Sequence, residues 1–240
     1  MTEDPFYEFY DRDDLTYGLK PSAEIASYVQ QASPRGLAID LGAGPGRNSL
    51  ALARAGMRVR AIDVSRRGMQ LLDEMAAERR LGHLIQTEVA DVRDFVWPDD
   101  KVGVIVATTV LDHIPIDSAN QLWTSIERVL ARDGVVYAEV HTTEDPGCDR
   151  APGNANPYPV SETAGGVVHY FGPGELLEMA TRSGEMRVLR YEERQEWDYT
   201  HGDEHHHGKA VLLAVRKGFF PPWYGHPLAF PRKLAKEKLS

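Results

Sequence analysis

Short apolar runs alternate with amphipathic helical stretches along most of this 240-residue chain. The runs 37–41 and 102–107 are almost continuously apolar, which suits strands buried on both faces of a sheet, and 57–63 is a further short strand. Between them, 66–81 repeats its apolar residues on one helical face. This alternation predicts an α/β fold in which crossover helices connect the strands of a parallel sheet.

The later part of the chain ends in two strands that lie close together in sequence. A helix is predicted at 173–183, and strands follow at 187–199 and 209–216. Because the link between these two strands is short, we expect them to form an antiparallel hairpin at the end of the sheet.

A glycine-rich turn follows the first predicted strand and leads directly into a helical pattern. Its sequence is Gly42-Ala43-Gly44-Pro45-Gly46. Glycine in such a turn lets the backbone approach a ligand where a larger side chain would clash. The next strand ends at Asp63, where a carboxylate can accept hydrogen bonds from both hydroxyls of a ribose. The pattern predicts binding of a nucleoside-containing small molecule.

The spacing of the glycines distinguishes between nucleoside cofactors. They form G-x-G-x-G, and Arg47 stands where the dinucleotide fingerprint G-x-G-x-x-G has its last glycine. Pro45 also lacks the N–H group that a pyrophosphate at a helix start would use. An NAD(P)-dependent oxidoreductase is therefore the weaker alternative. A non-catalytic protein that senses a cofactor or a metal on the same fold is another.

Asp40 lies two residues before the first glycine, and the whole run resembles the acidic-x-G-x-G-x-G motif of class I S-adenosylmethionine (SAM)-dependent methyltransferases. The resemblance implies that Asp40 faces the amino group of the methionine part and that the glycines pass beneath the adenosine. Asp91-Val92 matches the family's adenine-contacting position, and methyl transfer is expected just beyond 102–107. The implied cofactor-binding residues are Asp40, Gly42, Gly44, Gly46, Asp63, Val64, Asp91, Val92, Thr108 and Tyr17.

The same resemblance implies a complete architecture. We expect a Rossmann-like, doubly wound, seven-stranded sheet that is mostly parallel and has an antiparallel last strand. The expected domain spans 37–218, preceded by an N-terminal lid or arm at 1–36 and followed by an aromatic and basic tail at 219–240. Within the domain, the Gly- and Pro-rich segment 142–170 is expected to be an insertion over the active site.

Residues 200–208 hold four of the nine histidines in the chain. If the class I strand order applies, this turn lies over the acceptor pocket, at the sheet edge where His141 ends a strand. In an extended turn, His205 and His207 point together while His206 points away. One of these imidazoles could act as a general base, or several could bind a divalent transition metal. A solvated hairpin tip is the plainer alternative. The candidates for both roles are His141, His201, His205 and His207.

The N-terminal arm, the run 40–48 and the histidine-bearing hairpin together resemble the tellurite-resistance-type branch of small-molecule methyltransferases. That branch implies soft acceptors such as thiols or metalloid oxyanions, and Arg190 and Arg194 are candidate anion contacts. The insertion, the denser histidines and the aromatic tail depart from the branch. The acceptor atom, whether O, N, S or a metalloid, therefore stays open.

The composition of the chain limits the classes of substrate and partner that we expect. The net charge of −9 disfavours a nucleic acid as methyl acceptor, so we expect a small-molecule substrate. The single Cys148 suits a reducing compartment, and the acidic, aromatic first 14 residues do not resemble a signal peptide. No apolar run approaches the ~20 residues needed to cross a bilayer. We expect a cytoplasmic protein without a membrane partner. The oligomeric state is open, and a homodimer is one option.

Overall fold

The computed structural model of the protein describes residue 10 and residues 18–99, 101–148, 166–199 and 203–225. Helices and strands alternate through these residues. The helices are α1 (Ala23–Ala32), α2 (Arg47–Arg54), α3 (Arg66–Glu78), α4 (Ile116–Val129) and α5 (Glu175–Thr181). The strands are β1 (Leu37–Leu41), β2 (Arg58–Asp63), β3 (Ile85–Val89), β4 (Val102–Thr108), β5 (Leu130–His141), β6 (Met186–Asp198) and β7 (His205–Arg216).

The seven strands form one sheet in the order β3-β2-β1-β4-β5-β7-β6. The pairs β2–β3, β1–β2, β1–β4 and β4–β5 are parallel, whereas β7 runs antiparallel to both of its neighbours, β5 and β6. The predicted fold class, a mostly parallel doubly wound sheet with an antiparallel last strand, is confirmed.

Helices cover both faces of the sheet. Ile105 of β4 packs in one core with α4 and α5, while its neighbours Val104 and Val106 pack in the other with α1, α2 and α3. Side chains of a strand alternate between faces, so a strand buried on both sides must be apolar at successive positions. This requirement explains the continuous apolar runs of β1 and β4.

The last hairpin differs from its prediction. The strand β7 begins at His205, four residues before the predicted start at 209, and pairs with β6 through Asp198↔His205, Trp197↔His206 and Glu196↔His207. The three consecutive histidines therefore lie in a strand and are buried. The solvated hairpin tip is wrong for them, because all three are buried and the ring of His207 bonds the buried Asp145 carboxylate from a distant part of the chain.

Strand direction determines where the site can lie. The parallel strands β1, β4 and β5 end at one edge of the sheet, and the antiparallel β7 begins there, since His141 pairs with Lys209. Ligands in open α/β sheets bind at this carboxyl edge. The glycine turn and the histidines of β7 consequently lie at the same edge.

Candidate active site

A cavity of about 810 Å³ lies at the carboxyl edge of the sheet. Pockets for cofactors and drug-sized ligands have volumes of this order. Its walls come from the turns after β1 to β4 and from the strands β5, β6 and β7. Ten of the residues predicted from the sequence line it: Asp40, Gly42, Gly44, Asp63, Val64, Asp91, Val92, Thr108, His141 and His207.

The glycine turn needs glycine for two different reasons. Gly42 and Gly44 line the cavity with φ of 62° and 52°, and a Cβ at Gly42 would lie 2.0 Å from Val110 Cγ2. Gly46 does not line the cavity, so its predicted cofactor contact is not seen. It has φ of 88°, and a Cβ there would lie 2.2 Å from Leu72 Cδ1, so this glycine allows α2 to pack against α3.

Asp40 is buried at the end of β1 and faces the cavity. Its Oδ2 accepts a hydrogen bond of 2.6 Å from the Ser49 hydroxyl. Burial raises the pKa of Asp40 to about 6, and the Ser49 hydrogen bond only partly opposes this. A carboxyl that is costly to ionise here can be stabilised by a ligand cation.

Asp63 and Asp91 line the cavity from neighbouring strand ends. Asp63 accepts hydrogen bonds of 2.8 Å from the backbone N–H groups of Gly44 and Ser65, which fixes its carboxylate beside the glycine turn. Asp91 bonds instead to its neighbour Arg93, and this hydrogen bond holds the pKa of Asp91 below its usual value despite partial burial. Asp91 therefore stays ionised on the cavity wall at neutral pH.

The end of β4 is connected to the N-terminal helix and carries backbone strain. The side chain of Asn48 donates a hydrogen bond to Thr108 Oγ1 (3.2 Å) and accepts one from the backbone N–H of Ser22 (2.9 Å). Ser22 is the residue just before α1. Thr109, which follows Thr108 at the end of β4, also lines the cavity. Its φ is 50°, a left-handed conformation that costs a β-branched residue about 1–3 kcal/mol. Such strain is concentrated at functional sites.

His141 is held by a buried carboxylate. Its Nδ1 lies 2.5 Å from Asp112 Oδ2, and its backbone N–H donates to the same oxygen at 2.9 Å. Burial opposes ionisation of Asp112, but the hydrogen bond from His141 outweighs it and holds the pKa of Asp112 below its usual value. Because a carboxylate accepts the Nδ1 proton, the Nε2 of neutral His141 carries a lone pair and can take up a proton.

His205 and His207 face each other within β7. Their Nε2 atoms are 3.1 Å apart and their ring centroids 4.8 Å apart, whereas His206 packs against Trp197 of β6. The predicted alternation is therefore present. His207 lines the cavity and lies 5.0 Å from the His141 ring, but His205 lies behind it and is not part of the cavity wall.

Gly208 explains how a distant acid reaches His207. A Cβ at Gly208 would lie 2.4 Å from the Asp145 backbone nitrogen, so glycine here lets the loop after β5 pack against β7. Asp145 Oδ2 then lies 2.9 Å from His207 Nδ1. Burial lowers the pKa of His207, and the Asp145 hydrogen bond offsets this only in part. His207 is therefore held as a neutral imidazole.

Charged side chains on β5, β6 and β7 compensate one another. Lys209 Nζ lies 2.8 Å from Glu139 and 3.1 Å from Glu196. Burial opposes ionisation of Glu139, but Lys209 lowers the pKa of Glu139 to about 2, so this pair is ionic. Arg194 lies 3.0 Å from Glu196, and Arg190 lies 3.1 Å from Glu24. The two arginines are thus engaged by acids, which weakens their predicted role as anion contacts.

Some predictions fall outside the described residues. Tyr17 and His201 do, as do residues 1–9 and 11–17 of the arm, the segment 149–165 of the insertion and the tail from 226 onward. Tyr10 is described, and its hydroxyl would lie 2.7 Å from a Cβ at Gly44, so this aromatic residue covers the glycine turn. Sequence reasoning assigned no role to three acids that contact or flank the histidines: Asp112, Asp145 and Asp198.

Comparison with known proteins agrees with this arrangement. Residues 39–138 match the family described as Methyltransferase domain. The fold is that of the class I methyltransferases. The matched segment includes the end of β1, the glycine turn, β2 to β4 and most of β5, which together hold the cavity's predicted cofactor residues.

Two curated methyltransferases match part of this chain. The 2-heptyl-1-hydroxyquinolin-4(1H)-one methyltransferase of Mycobacteroides abscessus is 30% identical over 112 residues, which are 47% of this chain and 49% of that enzyme. The cypemycin N-terminal methyltransferase of a Streptomyces species is 35% identical over 81 residues, 33% of this chain and 31% of that enzyme. The chain thus spans half or less of the length of these relatives.

Solved structures extend the likeness of the methyltransferase fold to most of the chain. TehB from Haemophilus influenzae matches with a TM-score of 0.64 and 20% identity over 90% of this chain and 67% of that one. The CcbJ methyltransferase from Streptomyces caelestis matches with a TM-score of 0.59 and 16% identity over 89% and 96%. Among the described residues, none of the helices combines the length and apolar character needed to cross a membrane.

The residues of the cavity fit SAM, the cofactor of this fold. The glycine turn leaves backbone exposed where a Cβ would clash, and carboxylates line the cavity at the ends of three consecutive strands. A ligand with a sulfonium, an ammonium and ribose hydroxyls offers positive charge and donors to these acceptors. Asp40, Asp63 and Asp91 would hold it, each at its predicted position.

Proposed function

We propose that this protein transfers a methyl group from SAM to a nucleophilic atom of a small molecule. The family match over residues 39–138 and the fold support the cofactor. The observation that carries the reaction is that the Asp112–His141 pair opens into the same cavity as the glycine turn and its carboxylates. A proton acceptor and a cofactor cradle thus share one chamber.

When bound, SAM supplies an electrophilic methyl group on a positively charged sulfur. The chain's own residues would do the rest. Nε2 of His141 would accept the proton of an acceptor O–H, N–H or S–H, and Asp112 would hold the ring and stabilise its positive charge. The cavity walls would align the acceptor, and alignment alone can contribute about 7–11 kcal/mol.

An ionisable hydroxyl is the acceptor group that we favour. The curated relative from Mycobacteroides abscessus acts on a 1-hydroxyquinolone, and its match covers 47% of this chain. The tellurite-resistance-type branch is supported here only by the structural likeness to TehB at 20% identity. Thiols and metalloid oxyanions are therefore a second class to test. Trp197 and Tyr199, stacked at the cavity, offer aromatic surface to a flat acceptor.

The sequence raised two roles for the histidines, and we propose that different histidines fill them. His141 has the buried carboxylate of a general base, whereas the two rings with facing Nε2 atoms are His205 and His207. We propose His141 as the base and place metal binding at the other pair. Tyr10 over the glycine turn supports the proposal that the arm 1–36 is a lid, with 142–170 as a second cover over the site.

Transfer of label from [methyl-¹⁴C]SAM tests this function. We expect the untagged protein to label members of a panel of phenols, N-hydroxy heteroaromatics and thiols, and to label phenols or N-hydroxy compounds most. The His141→Ala variant should lose about 100-fold or more of the activity. Tight binding of S-adenosylhomocysteine without label in any member of the panel would instead favour a cofactor-sensing protein.

A further inference from the structure

The facing nitrogens of His205 and His207 require a proton or a metal ion between them. Nδ1 of His205 lies 2.8 Å from the Asp203 carbonyl oxygen, which can only accept a hydrogen bond. Nδ1 of His207 lies 2.9 Å from the Asp145 carboxylate. Both rings therefore carry their proton on Nδ1, and the two Nε2 lone pairs point at each other across 3.1 Å in a buried position. Such an arrangement is repulsive unless a positive charge lies between the lone pairs.

The spacing suits two ligands of one metal ion. Ligands at ~2.1 Å from an ion are ~3.0–3.4 Å apart in octahedral or tetrahedral geometry. Asp198 Oδ2 is 4.0 Å from His207 Nε2, and the ligand atoms of Asp198, His205 and His207 lie within 4.8 Å of one another. The three side chains thus bring two nitrogens and one carboxylate close enough to approach a single ion.

The surroundings also resemble those of metal sites. Metal-bound histidines generally donate their second N–H to a carbonyl or carboxylate, and here Asp203 and Asp145 accept those bonds. Two other acid–histidine groups at the cavity, Asp112–His113–His141 and His141–Asp145–His207, are less suitable. In each of them the acid is already hydrogen-bonded to a histidine of the same group.

We propose that Asp198, His205 and His207 form a site for one divalent transition-metal ion, such as Zn²⁺ or Fe²⁺, on the wall of the acceptor cavity. Two imidazoles and one carboxylate leave coordination positions open for a substrate. Asp198 and His207 line the cavity, so those positions border the space beside His141. Two of the four candidates predicted from the sequence, His205 and His207, belong to this site, and Asp198 is new. His141 has a different role, and His201 lies outside the described residues.

The site narrows the class of acceptor, a step that rests on the proposed function. A hydroxyl or thiol bound to the ion becomes more acidic, and His141 then takes its proton. Acceptors with a second ligating atom next to the nucleophile, such as vicinal oxygens, would bind best. Metal binding itself does not depend on methyl transfer and can be measured alone.

Titration of chelator-stripped, untagged full-length protein with Zn²⁺ alone tests the site. We expect the wild type to bind one ion and His205→Ala and Asp198→Ala to bind it at least about tenfold more weakly. His206→Ala is the matched control, because this ring lies on the opposite face of the same strand, and it should bind like the wild type. Zn²⁺ should raise Tm more in the wild type and in His206→Ala than in the other two variants.

S-adenosylhomocysteine binding, measured on the same samples, separates the two proposals. If it binds and Zn²⁺ does not, the metal site is wrong and His205 and His207 share a proton instead. If Zn²⁺ binds and S-adenosylhomocysteine does not, the proposed function fails while the metal site stands. A loss in His206→Ala equal to that in His205→Ala also overturns the site. Asp198 is partly exposed, so its variant reports on the site even if His205→Ala does not fold.

Discussion

Replacing Asp112 by asparagine is expected to lower kcat by about 10²- to 10⁴-fold while leaving S-adenosylhomocysteine affinity within about twofold. The carboxylate accepts from both the ring and the backbone N–H of His141. An amide in its place can donate to Nδ1, which moves the ring proton to Nε2 and removes the lone pair that the base needs. It also withdraws the negative charge that stabilises the protonated ring. Steady-state kinetics beside calorimetric binding would measure both effects.

A series of acceptors with different pKa values distinguishes a lost base from a damaged fold. An acceptor that is already ionised at the assay pH needs no base, so Asp112→Asn should retain most of its activity on that acceptor. The loss should grow as the acceptor becomes less acidic. An equal loss for every acceptor, or a parallel loss of cofactor affinity, would show that Asp112 has a structural role instead.

Replacing Asp40 by asparagine is expected to stabilise the folded protein and to weaken the binding of SAM. Burial raises the pKa of this carboxyl from 3.8 to about 6, which corresponds to about 3 kcal/mol at neutral pH. The folded state binds the proton more tightly than the unfolded chain, so the free energy of unfolding falls as pH rises from about 4 to 6. Asp40→Asn should remove this slope and gain ~1–3 kcal/mol at pH 7.

The same substitution removes the carboxylate assigned to the amino group of the cofactor. We expect S-adenosylhomocysteine to bind about 10- to 100-fold more weakly, the usual contribution of a hydrogen bond to a charged group. 5′-Methylthioadenosine, which lacks that amino group, is the control and should bind the wild type and the variant equally. Weaker binding of both ligands would mean that the change distorts the glycine turn rather than removing one contact.

Much of the fold could be predicted because its signals are local. The predicted strands 37–41 and 102–107 match β1 and β4 closely, since a parallel strand buried on both faces is apolar at nearly every position. The predicted start of β7 was wrong because it depends on contacts that are distant in sequence. Consecutive histidines read as a polar turn, and the partners that allow their burial, such as Asp145, lie as far as 62 residues away in sequence.

The candidate site divides in the same way. The glycine turn and the acids that follow successive strands occur in a fixed order, so the cofactor side of the cavity could be predicted from the sequence. The partner of His141 could not, because Asp112 is 29 residues distant and only the pairing of β4 with β5 brings them together. Asp198 was overlooked for a similar reason, because the early start of β7 places it opposite His205.

The cavity is expected to bind SAM rather than a dinucleotide. Calorimetric titration with S-adenosylhomocysteine and with NADH measures this preference. We expect the wild type to bind S-adenosylhomocysteine at one site and NADH at least about 100-fold more weakly, because Pro45 removes an N–H that a pyrophosphate would use. Asp63→Ala should strongly weaken the binding of S-adenosylhomocysteine. Tight NADH binding without S-adenosylhomocysteine binding would contradict the account.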